Sequence, residues 1–407
     1  MNIAFVIHQF PKLSETFILN QITGLIDLGH EVDIFANSNP DEENVHHEIE
    51  AYRLLKRTRY FHNPGQKWAR TTRAILLLLR NFHKDPRKIL RSFMIAKRFK
   101  LRPLSAWQYV IPFLGRNYDI IHCHFGGNGY IGTFLKEIGI GGRVLISFHG
   151  ADISRRFRQE EASAYDLVFE KADLITSNSD YTKKKLTKLG CNPEKIKKLS
   201  MGVDLRELSF SERRLAAGDR IRILTVARLV EKKGLEYSIR AVAKLIKSQP
   251  GIQYRIVGDG PLRDGLKILI SDLGVSEQIE LLGWRNTDEV RELYEKAHLF
   301  TLASVTAEDG DEEGQGLVLQ EAQAMGLPVV ITNHDGFPEG MLDSVSGFLV
   351  PERDADALAE KLDYLIQHPE TWPDMGRAGR EFVEEHYNIK KLNHRLVEIY
   401  QSLLANK

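Results

Sequence analysis

The sequence predicts an α/β protein made of two Rossmann-like, doubly wound parallel-sheet domains facing a central cleft. Three observations predict it. Apolar runs of strand length alternate with helical periods from end to end, the pattern of parallel sheets covered by helices on both faces. The runs fall into two series separated by a polar, charged stretch. The 407 residues allow about two or three domains, with enough apolar content for each to bury a core.

The first series is Ile3–Ile7, Val32–Phe35, Ile120–Cys123, Val144–Phe148 and Leu174–Thr176. Residues 205–220, with Ala216-Ala217-Gly218-Asp219, read as the linker, so the domains are expected over 1–205 and 206–387. The second series is Ile221–Val226, Gln253–Val257, Ile279–Leu282, Leu299–Leu302 and Val329–Ile331. In such folds ligands bind at the C-terminal ends of the strands. Residues 53–102 read as an insertion in the first domain, with helices over Trp68–Phe82 and Ile89–Phe99.

Net charge is +1, but 53–102 holds 16 Lys or Arg and one acid, Asp85, so it carries +15 and the remainder −14. A solvated helical face and a surface for anionic lipid headgroups or an anionic acceptor both fit this segment. No recognised nucleic-acid-binding motif accompanies it, so no nucleic-acid partner is expected. Two cysteines, Cys123 and Cys191, give no disulfide framework and fit a reducing compartment. Met1–His8 reads as a strand rather than a signal peptide, and Leu76–Leu79 is too short to span a bilayer. The expected location is the cytoplasm, with any membrane contact peripheral and on the inner face.

Glu313 and Glu321 stand eight apart in a run that enters an apolar helix ending at Gly326. A helix N-terminus offers unpaired N–H groups and a positive dipole end, which suit phosphate. Two carboxylates beside it would repel phosphate alone; they fit if they accept from hydroxyls, and a nucleotide sugar supplies both. Arg228, at a strand end, and Lys233, near the next helix, can hold a diphosphate and stabilise it as it leaves. Taken alone, each could be an ordinary surface cation. Gly258 and Gly260 flank Asp259 where backbone can approach a ligand, although a plain tight turn also explains them; Pro261 suits a first helical turn. Trp284 either lines a base pocket or covers a cleft wall. His149 lies just past a strand end beside Gly150 and Asp152. His122 and His124 share a strand face, with no third metal ligand evident, and His124 reads as cleft-lining. Asp309-Gly310-Asp311 reads as a solvated acidic loop. Gly127–Gly132 matches a dinucleotide fingerprint but lies outside the first βαβ unit, and it reads as a close-packing turn with room for a ligand left open. No obligatory cofactor or metal is expected, because Arg228, Lys233 and the helix end supply positive charge.

Arg228 with Lys233, the spacing of Glu313 and Glu321, and Glu-Ala-x-Ala-x-Gly-x-Pro-Val at 321–329 resemble the retaining glycosyltransferases of family 4, with the GT-B fold. The resemblance covers nearly the whole chain. Phe10-Pro11-Lys12-Leu13-Ser14-Glu15-Thr16-Phe17 is similar to the branch that builds bacterial exopolysaccharides, including colanic-acid-type enzymes. The resemblance implies that Arg228 and Lys233 hold the donor diphosphate, Glu321 accepts from the ribose and Glu313 contacts the sugar. It also implies that backbone of Gly314, Gln315, Gly316 and Leu317 meets sugar and phosphates, and that His149 stands beside the transferred sugar. Ser14, Glu15 and Thr16 replace a more glycine-rich loop. Together with His124 and Asp152 they are the first-domain candidates for acceptor contact. The final helix, within 388–407, is implied to return to the first domain. The implied reaction moves a sugar from a UDP-sugar, or else a GDP-sugar, to a hydroxyl of a glycan or lipid-linked acceptor. A sugar-nucleotide epimerase and a non-catalytic nucleotide-sugar-binding subunit remain alternatives. A nicotinamide oxidoreductase rests on the glycine match alone.

Overall fold

Apolar runs too short for helices become strands, and their burial on both faces shows why they lack polar alternation. The computed structural model describes all residues except 41–45, 62–66, 155–163 and 406–407. The chain divides into two units. The first holds Met1–Asn178, Thr182–Leu199 and Lys390–Lys407; the second holds Ser179–Tyr181 and Ser200–Ile389.

The strands of the first unit are β1 (Asn2–Gln9), β2 (Glu31–Ser38), β3 (Thr58–Tyr60), β4 (Ile120–His124), β5 (Arg143–Phe148), β6 (Leu174–Ser177) and β7 (Ile196–Lys198). They form one parallel sheet in the order β3-β2-β1-β4-β5-β6-β7. The second unit has β8 (Ile221–Val226), β9 (Ile252–Val257), β10 (Ile279–Gly283), β11 (Leu299–Leu302), β12 (Val329–Thr332) and β13 (Gly347–Val350). These are also parallel, ordered β10-β9-β8-β11-β12-β13. Both sheets are doubly wound, as the sequence pattern predicts. Their strand order reverses at β1/β4 and at β8/β11, which are the topological switch points where such sheets take ligands.

Every expected strand is present. The three strands the pattern missed are all sheet edges: β3, β7 and β13. Thr58-Arg59-Tyr60 and Ile196-Lys197-Lys198 are too polar and short to stand out from loop. Because β3 lies inside 53–102, that segment supplies a sheet edge as well as helices and is not wholly an insertion. Its helices run Leu54–Arg57, Lys67–Asn81 and Pro86–Ile95, followed by a 3-10 turn, Ala96–Phe99.

Residues 205–220 belong to the second unit rather than forming a free linker. Arg213 is the reason: its buried guanidinium donates to the Glu295 carbonyl (2.5 Å) and the Met325 carbonyl (2.6 Å). The glycines of 127–132 also differ from expectation, because they lie in a helix, Gly126–Glu137, and not in a turn. A Cβ on Gly129 would meet Ile146 and Val168 at 2.8 and 2.9 Å, and one on Gly132 would meet the Cys123 sulfur at 2.4 Å. They let helix and sheet approach closely. The last helix, Ile389–Ala405, packs in the first unit through buried Leu396 and Tyr400, and Asn393 donates to the Asn20 carbonyl (3.1 Å).

Candidate active site

In the second unit the chain leaves the two switch-point strands through residues 227–234, after β8, and 303–316, after β11. The two loops are locked together. Val305 N–H donates to the Lys232 carbonyl (2.9 Å). Gly234 adopts φ +56°, and a Cβ there would lie 1.7 Å from the Ala303 carbonyl oxygen, so only glycine lets the backbones cross.

Locked loops bring charges together. Lys233 Nζ lies 2.8 Å from Glu313 Oε2, and Lys232 Nζ lies 2.9 Å from Glu313 Oε1. Lys232 also reaches Asp311 Oδ1 (3.1 Å) and the Glu312 carbonyl (3.1 Å). Burial alone would raise the Glu313 pKa, but the two ammonium groups outweigh it and hold the carboxyl at about 2. It is therefore an ionised acceptor at neutral pH. Three expectations change here. Lys233 is not a free cation, since Glu313 already shares its charge. Asp311 is buried and paired, not solvated. Lys232, which nothing in Glu231-Lys232-Lys233 distinguishes from its neighbours, is part of the cluster. Arg228, by contrast, is exposed and has no side-chain partner among the described residues.

His334, just past β12, is fully buried beneath the same loop. Its Nδ1 lies 2.5 Å from Glu352 Oε1, and its Nε2 accepts from the Glu313 N–H (3.2 Å) with Asp335 Oδ2 at 2.9 Å. Burial opposes a charge on the ring, and the Asp335 and Glu352 carboxylates outweigh it, so its pKa is raised. The pattern-based reading passed over His334 and Glu352, although both follow strand ends, the signal that singled out His149.

Glu321 lies in the second turn of the helix Leu317–Ala324 and accepts from Tyr294 O–H (3.1 Å). Burial raises its pKa, against that hydrogen bond. No side chain caps this helix at Gly316. Gly314 and Gly316 are buried close to Gly336 and Phe337: a Cβ on Gly336 would meet the Gly314 carbonyl oxygen at 2.1 Å, and one on Gly316 would meet the Phe337 ring at 2.7 Å. The Gln315 side chain is spent within the fold, accepting from Met201 N–H (2.9 Å) and donating to the Met201 carbonyl (2.7 Å). Only its backbone is left for a ligand.

Gly258 and Gly260 do admit close approach, but to the chain's own backbone. A Cβ on Gly258 would lie 2.0 Å from the Ala227 carbonyl oxygen, and one on Gly260 would lie 2.5 Å from that of Leu229. They position the loop that carries Arg228. Pro261 precedes the helix Arg263–Asp272 and is not in its first turn. Trp284 is 49% exposed and follows edge strand β10, which lies two strands from β8 in the sheet.

The first unit holds a second cluster at its strand ends. His124 Nδ1 and His149 Nε2 lie 3.2 Å apart, their rings stacked at 5.4 Å. His122 shares hydrogen bonds with Tyr400 O–H and Ser147 O–H, each at 2.7 Å. Burial pushes His122 and His149 down to about 3 and His124 well below its ordinary value, so all three rings are neutral. Asp152 accepts from His149 N–H (2.9 Å) and Gly126 N–H (3.0 Å), fixing the His149 backbone. Phe17 sets its ring 4.8 Å from His149, one residue after Thr16 begins the helix Thr16–Asp27. Glu15 accepts from Lys12 Nζ (2.8 Å), and Ser14 belongs to the same short 3-10 turn, Leu13–Glu15. Asp152 and Glu15 are thus already engaged, while His149 Nδ1 and His124 Nε2 are buried without a hydrogen-bond partner among the described residues.

Two doubly wound parallel sheets, with cations, carboxylates and a helix start at a switch point, define a GT-B glycosyltransferase. Comparison with known proteins agrees. Residues 14–207 match Glycosyltransferase Family 4 and residues 209–382 match Glycosyl transferases group 1. The chain is 37% identical to the putative colanic acid biosynthesis glycosyltransferase WcaL of Escherichia coli (strain K12), covering 99% of this chain and 100% of that one. It is 36% identical to the amylovoran biosynthesis glycosyltransferase AmsK of Erwinia amylovora, covering the same shares. Among solved structures, Anabaena Alr3699/HepE in complex with UDP-glucose superposes with a TM-score of 0.74 at 19% identity, covering 99% of this chain and 100% of that one. The chain belongs to glycosyltransferase family 4.

Proposed function

We propose that this glycosyltransferase moves a hexose from a nucleotide diphosphate sugar to a hydroxyl of a glycan or lipid-linked acceptor in exopolysaccharide biosynthesis, retaining the anomeric configuration. One observation carries the donor reading: the switch point of the second unit gathers Lys233, ionised Glu313 and an uncapped helix start, with Arg228, unpaired among the described residues, on the adjoining loop. Phosphate suits the cations and the helix N–H groups, and sugar hydroxyls suit the carboxylates. The biosynthetic setting rests on the colanic acid and amylovoran relatives. A protein of the same fold solved with UDP-glucose makes a UDP-sugar the first donor to try, with a GDP-sugar next.

In this reading the C1–O bond to the diphosphate breaks through an oxocarbenium-like state. Arg228 and Lys233 stabilise the charge that develops on the departing phosphate, and the helix start adds its N–H groups. The leaving phosphate takes the acceptor proton on the same face of the sugar. Glu313, held by two lysines, keeps its charge and orients the sugar hydroxyls. Glu321 accepts from the ribose, and neutral His149 stands beside the sugar. No metal is required, because these residues already meet the diphosphate with positive charge. The reaction would take place in the cytoplasm.

The test is product analysis by NMR with UDP- and GDP-sugars, with and without a lipid-linked saccharide acceptor and with and without EDTA. Transfer that needs acceptor, survives EDTA and preserves the anomeric configuration is expected. An inverted product would sink the retaining assignment. Isomerised sugar nucleotide without acceptor would make the protein an epimerase, and donor binding without turnover would make it a binding subunit.

A further inference from the structure

The basic helices of the first unit present apolar side chains outward. On Lys67–Asn81, Ile75, Leu76 and Leu79 are exposed within one arc of about 100°. On Pro86–Ile95, Leu90, Phe93 and Met94 do the same, while Ile89 and Ser92 of that helix and Ala96 and Phe99 beyond it point into the core. An ordinary surface helix turns its polar face to water. Here both helices pack against the helix Pro103–Val110 and still leave leucine, phenylalanine and methionine in water. Exposed apolar patches of this kind mark interaction surfaces.

Apart from Asp85, the charges these two helices carry are basic, and Arg91 reaches the Glu137 carboxylate of a neighbouring helix at 3.8 Å. Arg80, Lys84, Arg87, Lys97 and Arg98 are exposed and form no ion pair among the described residues. The single acid, Asp85, is used internally: it caps Pro86–Ile95 by accepting from Lys88 N–H (3.0 Å) and pairs with the Lys88 ammonium (3.0 Å). No described helix is long and apolar enough to cross a bilayer. Apolar side chains that dip below the headgroups, ringed by cations, are what stable docking on an anionic leaflet needs, since neither signal holds a protein there alone.

We infer that the exposed apolar and basic side chains of these two helices dock the enzyme on a bilayer of anionic phospholipids. The inference does not depend on the donor site, and it places the reaction beside a lipid-linked acceptor. Charge complementarity selects this occupant: an apolar patch that joined two copies of this chain would bring two sets of cations together.

The experiment is flotation of the full-length protein with phosphatidylcholine vesicles, alone and mixed with phosphatidylglycerol. Binding only to the mixed vesicles, weakened by salt, is expected. Leu79 and Met94 are the most exposed of the apolar set, at 71% and 73%, so Leu79→Glu with Met94→Glu should leave the melting temperature unchanged. That variant should lose at least about tenfold in partition. Lys97→Glu with Arg98→Glu should lose about fivefold for each unit of charge removed. Transfer to a soluble acceptor should be unchanged in both. Equal binding to both vesicle types, no binding to the anionic ones, or variants that float like wild type would overturn the inference. A concentration-dependent dimer broken by Leu79→Glu would also overturn it and assign the face to a second copy.

Discussion

Lys232 and Lys233 are sequence neighbours with different work. Among the described residues the Lys233 ammonium pairs with Glu313 alone, and it lies on the donor side of the proposed reaction, whereas Lys232 holds Asp311, Glu313 and the Glu312 carbonyl. Lys233→Ala leaves Glu313 still paired, so stability should fall little. Transfer should fall about 100- to 1,000-fold, from the loss of about 3–4 kcal/mol of charge stabilisation. Lys232→Ala strips both buried carboxylates of a partner and should cost about 3–5 kcal/mol of stability. Chemical denaturation and kcat/KM of the two variants check this: a Lys233→Ala enzyme turning over at wild-type rate would remove that residue from the mechanism. That Arg228 and Lys233 follow a strand end was legible from the apolar run before them. Lys232, His334 and Asp311 were not, because which way a loop side chain turns depends on contacts from residues distant in sequence.

At the scale of elements, the site is a crossing of two loops, and Gly234 is where they cross. With φ +56° and a Cβ position 1.7 Å from a carbonyl oxygen, Gly234→Ala combines backbone strain with a clash against backbone that cannot rotate away. We expect a loss of about 2–4 kcal/mol and weaker donor binding, because the displaced loop carries Lys232 and Lys233. Gly265→Ala, at a helical position with no atom near its Cβ, is the control and should be neutral or slightly stabilising. A Gly234→Ala protein as stable as wild type, measured by urea denaturation, would mean that the crossing is not constrained. Strands buried on both faces were readable because they leave unbroken apolar runs. The edge strands β3, β7 and β13 were not, since half-exposed residues carry no such signature.

At the scale of the molecule, acid stability should report the buried histidines. In the folded first unit His122 and His149 titrate near 3, against about 6.5 in an unfolded chain. A depressed histidine pKa means the unfolded state binds protons first. Stability is therefore full above about pH 6.5 and declines as pH falls toward 3. Glu313, held at about 2, adds its own loss only below about pH 4.3, its ordinary carboxylate value. Thermal unfolding between pH 7.5 and 4.5 should thus show a falling melting temperature, with a shallower slope in His149→Gln. A flat profile over that range would contradict neutral, buried rings. The two doubly wound sheets were visible in the alternation of strand and helix. The close packing of residues 205–220 onto the second unit was not, because Arg213 looks like any charged loop residue until the carbonyls it meets are known.

We propose that a nucleotide diphosphate sugar binds at the switch point of the second unit. Thermal unfolding against UDP-, GDP- and ADP-sugars tests it directly, since a ligand at about 100 times its Kd adds about 2.7 kcal/mol to the native state. One of these donors should raise the melting temperature of the wild-type protein and leave the Arg228→Ala, Lys233→Ala double variant unmoved. A panel that stabilises neither protein, or both equally, would contradict the account.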